Sequence, residues 1–212
     1  MCGRFVRHTN VYELTDLLGV PWPDVPPSYN VAPTQAVPVV RGGADGRECV
    51  VMTWGLVPSW SKDGKPLINA RGETAADKPT FRSAFKKRRC LIPATGYFEW
   101  QATEGGKQPW LFRLLGGEPF AFAGLWEAWD GTDGCTILTT SANPLCKPLH
   151  DRMPVILPRD AYRAWLDGDV QHGQGLADLL KPYPAEAMEV YPVSALVNSP
   201  ENNRPECVEP IG

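Results

Sequence analysis

At 212 residues, 43% of them hydrophobic and 21% charged, the chain has the length and composition of an ordinary soluble globular protein, one large domain or two small ones. Its net charge of −3 excludes capture of polyanions by a bulk field, so any nucleic-acid site has to be a local patch. Nothing approaches the ~18 consecutive apolar residues of a membrane helix and no basic-then-apolar signal segment opens the chain, which predicts a cytoplasmic protein with no membrane partner. Six cysteines (Cys2, Cys49, Cys90, Cys135, Cys146 and Cys207) are scattered without a C-x-x-C pair, beside only three His. That argues against a zinc site and, without a secretory signal, against a disulfide framework; no metal and no other cofactor is expected.

The chain opens Met1-Cys2-Gly3-Arg4-Phe5. Residues 8–18 then read as a helix: Thr9 or Asn10 offers a cap, Val11, Leu14, Leu17 and Leu18 recur at helical spacing, and Gly19 ends it. The segment Pro21 to Pro33 is too rich in proline for regular structure and predicts a stiff, extended path. Val37–Arg41 and Glu48–Trp54 predict a hairpin around the turn Gly42-Gly43-Ala44-Asp45-Gly46. The aromatic stretch Trp54 to Trp60 is too broken for a helix. Asn69-Ala70-Arg71 has the spacing that puts Asn69 and Arg71 on one face of a strand, or else it is a strand-end turn. Phe81–Phe85 reads as part of a short helix, followed by the basic run Lys86-Lys87-Arg88-Arg89, which is either solvated surface or a phosphate-facing edge. Strands are predicted at Cys90–Ala94 continuing through Gly96–Trp100, at Pro109–Leu115, Phe120–Trp126, Thr136–Thr140 and Glu189–Val193, and helices at 159–167 and 173–181. No repeat and no long polar linker is visible. The expectation is a single α+β domain over 1–212 with a β-sheet or barrel-like core surrounded by short helices.

Cys2 is either an ordinary buried residue at a frayed end or a nucleophile. Loss of Met1 would give it an α-amine beside its thiol, and an α-amine has a pKa of ~8 against ~10.4 for Lys, so part of it is neutral and nucleophilic in the cell. Glu99, between Phe98 and Trp100, is either a desolvated proton-transfer group or the solvent-facing member of a strand alternation. His150 beside Asp151 is either a base or a His satisfied by a carbonyl, since neighbours on a strand point to opposite faces. Trp54 reads as core, and Trp60 as a stacking surface for bases.

Taken together and in order, Cys2-Gly3-Arg4-Phe5, Tyr29-Asn30-Val31-Ala32-Pro33, Trp54-Gly55-Leu56-Val57-Pro58-Ser59-Trp60, Ile68-Asn69-Ala70-Arg71-Gly72-Glu73-Thr74, Gly96-Tyr97-Phe98-Glu99-Trp100 and His150-Asp151-Arg152-Met153-Pro154 resemble the SOS response-associated peptidase (SRAP) family over essentially the whole chain. Members of that family shield abasic sites in single-stranded DNA. The resemblance implies that the α-amine of Cys2 attacks the ring-opened deoxyribose aldehyde and that the thiol then closes a thiazolidine. It implies that Asn69 orients the amine and sugar, that Glu99 assists ring opening and that His150 moves protons at the imine and aids reversal. Arg4, Arg71 and Arg152 are implied phosphate clamps, Pro33, Trp60 and Trp100 wedges or stacking surfaces, and Thr139 a polar residue lining the pocket. Ser61 stands where some relatives carry a second aromatic, which predicts weaker stacking there.

The implied partner is single-stranded DNA containing abasic sites, met at the nucleoid or replication fork by a monomer, one copy sufficing for each lesion. Two other readings stay open. One is an N-terminal-nucleophile hydrolase, including a peptidase built from Cys2, Glu99 and His150 that removes only Met1; against it, Arg-Phe rather than Ile follows Gly3. The other is a non-catalytic single-strand binder.

Overall fold

The computed structural model describes residues 2–23, 25–43, 46–168 and 174–211. Met1, the turn residues Ala44 and Asp45, and residue 173, with which the last predicted helix begins, lie outside the described residues. The first strand, β1 (Phe5–Arg7), leads into helix α1 (Val11–Leu18), capped as its sequence predicts. The Asn10 side chain accepts from the Glu13 amide, and Gly19 closes the helix at φ 68°, a left-handed conformation in which glycine has no Cβ to clash. The proline-rich segment departs from expectation: Ser28–Val31 forms strand β2, antiparallel to β1. The five residues between Pro27 and Pro33 are free of proline, enough for a four-residue edge strand, where a missing amide costs no ladder bond.

Strands β3 (Ala36–Gly43) and β4 (Gly46–Trp54) form the predicted hairpin in unbroken register from Ala36↔Thr53 to Gly43↔Gly46. Strand β5 (Asn69–Arg71) follows, then the short helices α2 (Gly72–Ala75) and α3 (Arg82–Lys87). Strands β6 (Arg89–Ala94), β7 (Gly96–Thr103), β8 (Gly106–Leu114), β9 (Phe120–Trp129) and β10 (Thr132–Ser141) are each longer than the runs predicted for them. Two short strands, β11 (Arg152–Pro154) and β12 (Ile156–Leu157), carry no sequence signal of their own. Helices α4 (Tyr162–Leu166) and α5 (Gln174–Asp178) and strand β13 (Met188–Pro192) complete the chain.

β10 closes the fold. It runs antiparallel to β9 from Thr132 to Ile137 and parallel to β4 at Gly134 and Cys135, so β10, β4, β3, β6 and β9 form a closed ring. Past the ring it pairs with β5 on one side and β11 on the other. Closure depends on Gly134, where a Cβ would sit 2.5 Å from the Gly55 carbonyl oxygen. The second sheet, β13-β8-β7-β1-β2, is covered on both faces. Phe5, Val31, Tyr97, Phe112 and Met188 pack on the barrel with Trp54 and Phe122. Val6, Phe98 and Leu111 pack beneath a C-terminal strap that carries Val193, Val197 and Cys207. Each such aromatic contributes ~1.5–3 kcal/mol by burial alone.

Asn30, buried in β2, fastens that strap. Its Nδ2 lies 2.7–3.2 Å from the carbonyls of Val197, Ser199 and Asn202, while its Oδ1 accepts from Arg4 Nη1 at 2.7 Å. Asn30→Ala removes those donors and leaves the carbonyls dry, so the expected cost is at least ~2 kcal/mol, read as a lowered Tm with faster proteolysis of residues 194–208. An unchanged Tm and cleavage pattern would show that the strap does not depend on it.

The basic run is not one surface. Lys86 and Lys87 end α3, Arg88 pairs with Glu127 at 2.6 Å, and Arg89 is buried, donating to the carbonyls of Phe85, Trp165 and Asp167. An arginine whose fork is spent on helix-terminal carbonyls faces no phosphate, so a four-cation edge does not form.

Candidate active site

Pairing of β1 with both β2 and β7 anchors the three residues that precede it. Arg4 O accepts from Phe98 N at 3.0 Å, and Cys2 is fully buried in the core between sheet and barrel. The frayed-terminus reading of Cys2 is thereby corrected: Cys2 is interior, and Gly3 and Arg4 after it are half-buried. Burial, and after it the nearby Glu99 charge, pushes the Cys2 thiol well above the ordinary cysteine range, so it stays protonated.

Three elements converge on this residue. From β5, Asn69 Nδ2 donates to the Cys2 carbonyl at 2.7 Å, while its Oδ1 is buried with no hydrogen bond among the described residues. β7 supplies Glu99, only 5% exposed. The alternation that predicted a half-exposed strand fails for Glu99 because both faces of this sheet are covered. Burial raises the Glu99 pKa, and the field of His150 works against that rise.

His150 stands at the end of the turn after β10, its amide donating to Cys146 O at 3.0 Å. It is not on a strand, so the opposite-faces argument against its pairing with Asp151 does not apply. Its Nδ1 accepts from the Arg152 amide at 3.0 Å and lies 2.9 Å from Asp151 Oδ1. The contact with the Arg152 amide uses Nδ1 as an acceptor and the contact with Asp151 uses it as a donor, so the presence of a proton on this atom decides which of the two it makes. The Tyr97 hydroxyl lies 3.1 Å from Cys146 Sγ and ties this turn to β7, which bears Glu99 two residues on.

Cys2, Asn69, Glu99 and His150 thus come together. Of these four, Glu99 lines an open cleft of about 570 Å³, together with Gly3, Arg4, Trp100, Lys107 and Asn198. Arg4 Nη1 donates to Val197 O as well as to Asn30, and its guanidinium carbon lies 5.8 Å over the Trp100 ring. Trp100 Nε1 donates to Asn198 Oδ1 at 2.7 Å.

The other expected DNA residues divide. Arg71 is exposed, in register with Thr139 on the parallel β5–β10 pair. Arg152 is held bidentately by Glu73 at 2.6 and 2.8 Å and donates to Thr139 O at 2.7 Å, so a phosphate reaching it has to displace a carboxylate. Thr139 is itself wholly buried and does not line the pocket; it reaches the surface only through Arg152. Pro33 and Trp60 lie apart from the cleft lining, on two loops that meet at Trp54, whose carbonyl accepts from Thr34 N. Trp60 is 65% exposed, and its loop is braced by a bond from Trp129 Nε1 to Ser61 O. Sequence reading gave no role to Asn30 and Glu73, although both lie inside its motifs. Lys107 and Asn198 carry no local signal at all. Among the described residues no group of three or more His, Cys, Asp or Glu is arranged to hold a metal ion, and no helix is long and apolar enough to cross a membrane.

With this geometry in hand, the comparisons are direct. The family described as SOS response associated peptidase (SRAP) matches residues 1–200. The abasic site processing protein YoqW of Bacillus subtilis (strain 168) is 40% identical over 222 residues, covering 99% of each chain. The abasic site processing protein YedK of Escherichia coli (strain K12) is 30% identical and spans 100% of both. An X-ray structure of a protein from Bacteroides thetaiotaomicron superposes with a TM-score of 0.77 at 29% identity, covering 97% of this chain and 92% of that one.

Proposed function

Because this chain belongs to the SOS response associated peptidase (SRAP) family, we propose that it processes abasic sites in single-stranded DNA by covalent capture through Cys2 once Met1 has been removed. The observation that carries the reading is the burial of Cys2, a residue with two potential nucleophiles, beside Asn69 and Glu99, while Glu99 lies in the field of His150 and lines an open cleft.

The chemistry proceeds in balanced steps. Glu99, holding its proton to a higher pH than an exposed carboxylate, protonates the ring oxygen of the abasic sugar as the C1′ hydroxyl loses its proton, leaving an open-chain aldehyde. The Cys2 α-amine adds to C1′, and loss of water gives the imine. Asn69 Oδ1, buried and without a partner among the described residues, is the acceptor suited to orient that amine. The thiol sulfur then adds to the same carbon while its proton passes to the nitrogen, closing the thiazolidine. A neutral, buried thiol fits this order, because the imine forms first and the sulfur attacks within the same molecule, where effective concentration is high. An N-terminal-nucleophile hydrolase would use the same α-amine as general base for the thiol, so the product formed tells it from capture.

The test mixes Met-processed protein with uracil-glycosylase-treated single-stranded DNA. An adduct is expected on a denaturing gel without borohydride, at the mass of protein plus DNA less one water. Turnover of glutamine or peptide with no adduct would favour the hydrolase, and reversible binding alone the non-catalytic binder.

A further inference from the structure

On β7 the alternation of side chains sends Glu99 and Trp100 to opposite faces of one sheet. Glu99 faces the barrel with Cys2 and Tyr97, where the captured sugar has to go. Trp100 faces the strap side, against the cluster of Phe98, Val193 and Val197. The cleft wraps this boundary, since residues of both kinds line it. Its far wall contains two groups that the capture chemistry does not use. Lys107, on β8, is exposed and lies opposite Ala102, two residues beyond Trp100 and on the same face. Asn198, on the strap, spends its Oδ1 on the Trp100 indole, and its two amide N–H bonds have no partner among the described residues.

We infer that Lys107 and Asn198, with the indole that Asn198 orients, form a subsite for the nucleotide adjoining the abasic sugar: Lys107 takes its phosphate, and Asn198 donates to phosphate or base edge. A chain of net charge −3 has to draw DNA in by local cations, and Lys107 with Arg4 supplies them at the cleft where the buried Glu99 would repel. Fixing Trp100 by its Nε1 edge holds the ring plane ready for a base at no cost in rotamer freedom on binding. The strap thereby becomes part of the DNA site rather than a cover for the sheet alone. This subsite rests on the proposed abasic-site function, but it is testable without the covalent step.

The test measures binding of the full chain to single strands carrying a tetrahydrofuran abasic analogue, which cannot open to an aldehyde. The analogue is placed internally, or at the end of the strand with no nucleotides on its 5′ side, or none on its 3′ side. Lys107→Ala is expected to weaken binding to the internal analogue about three- to tenfold and to lower the salt slope by ~0.7, the share of one single-strand phosphate contact. Lys107→Arg should restore both. Asn198→Asp keeps the acceptor for Trp100 but puts an anion where the donor was, and is expected to weaken binding more than Asn198→Ala. For one of the two truncated strands these losses should vanish, because the nucleotide the residues touch is gone; for the other they should persist. Equal losses on both truncated strands, or none on any strand, would overturn the subsite. A wild-type protein that shows this pattern yet forms no adduct with a true abasic strand would sink the crosslinking reading and leave the subsite standing.

Discussion

Cys2→Ala is expected to abolish the denaturation-resistant adduct with abasic single-stranded DNA, the largest effect of any single substitution. The variant keeps an α-amine at the same position and so can still form an imine, but no second nucleophile remains to trap it. A residual adduct should therefore appear only after borohydride. Cys2→Ser separates the sulfur from the position: its hydroxyl is a poorer nucleophile toward the imine carbon, and its adduct should decay on heating where the Cys2 adduct persists. An adduct of undiminished stability from Cys2→Ser would exclude the thiazolidine, as would normal crosslinking by protein that retains Met1, whose amine belongs to the wrong residue. Cys2 is buried in the apolar core, so a Ser hydroxyl there needs an acceptor, for which Arg4 O, 3.8 Å from Sγ, is placed. The Tm of each variant separates loss of chemistry from loss of fold.

Glu99→Gln should slow adduct formation by about 10²- to 10⁴-fold, the range of a lost general acid–base group, and should at the same time stabilise the protein. The sign follows from burial. The Glu99 pKa is raised in the folded state, so the folded protein binds the proton more tightly than the unfolded chain does. That contribution is fully present below the ordinary carboxylate range and is lost as pH rises through the folded value. Above the ordinary carboxylate range the wild type therefore loses stability that Gln keeps. The Tm of Glu99→Gln is expected to exceed that of the wild type at neutral pH, with the gap narrowing on acidification. A variant that crosslinks at the wild-type rate removes Glu99 from the mechanism. One that loses Tm at neutral pH means that His150 and the surrounding site offset the burial of its charge in full.

Arg152 shows how a motif can be found without its state. Its place in His150-Asp151-Arg152 points to a phosphate clamp, yet the Glu73 carboxylate already fills its fork and Thr139 takes a further donor. Arg4 is similar, with one nitrogen committed to Asn30 and the strap. A phosphate reaching either residue has therefore to displace an acceptor it already holds, which costs more than capture by a free cation.

What the chain determined by itself was local. Asn10 and Gly19 cap α1 because a side-chain acceptor and a left-handed glycine satisfy the helix ends wherever that helix lies. Alternating apolar residues and a glycine turn set the β3–β4 register, and period two put Asn69 and Arg71 on one strand. Motif order carried the family, and with it the expectation that Cys2, Asn69, Glu99 and His150 share a site. Tertiary structure decided what depends on residues far apart in sequence. The barrel closes through a two-residue parallel pairing of β10 with β4, too short to leave a pattern. Arg89 left a basic run for the interior because carbonyls of α3 and of the chain around Trp165 converge on it. Glu99 lost its water because its face of the sheet, shared with Tyr97, packs on the barrel while the strap covers the face of Phe98 and Trp100, and no alternation along β7 encodes cover on both sides. Cys2, whose setting sequence alone left between a frayed end and a nucleophile, lies in the core because two neighbouring strands hold β1 on both sides. Burial and pairing are sums over distant partners, and only the folded chain evaluates them.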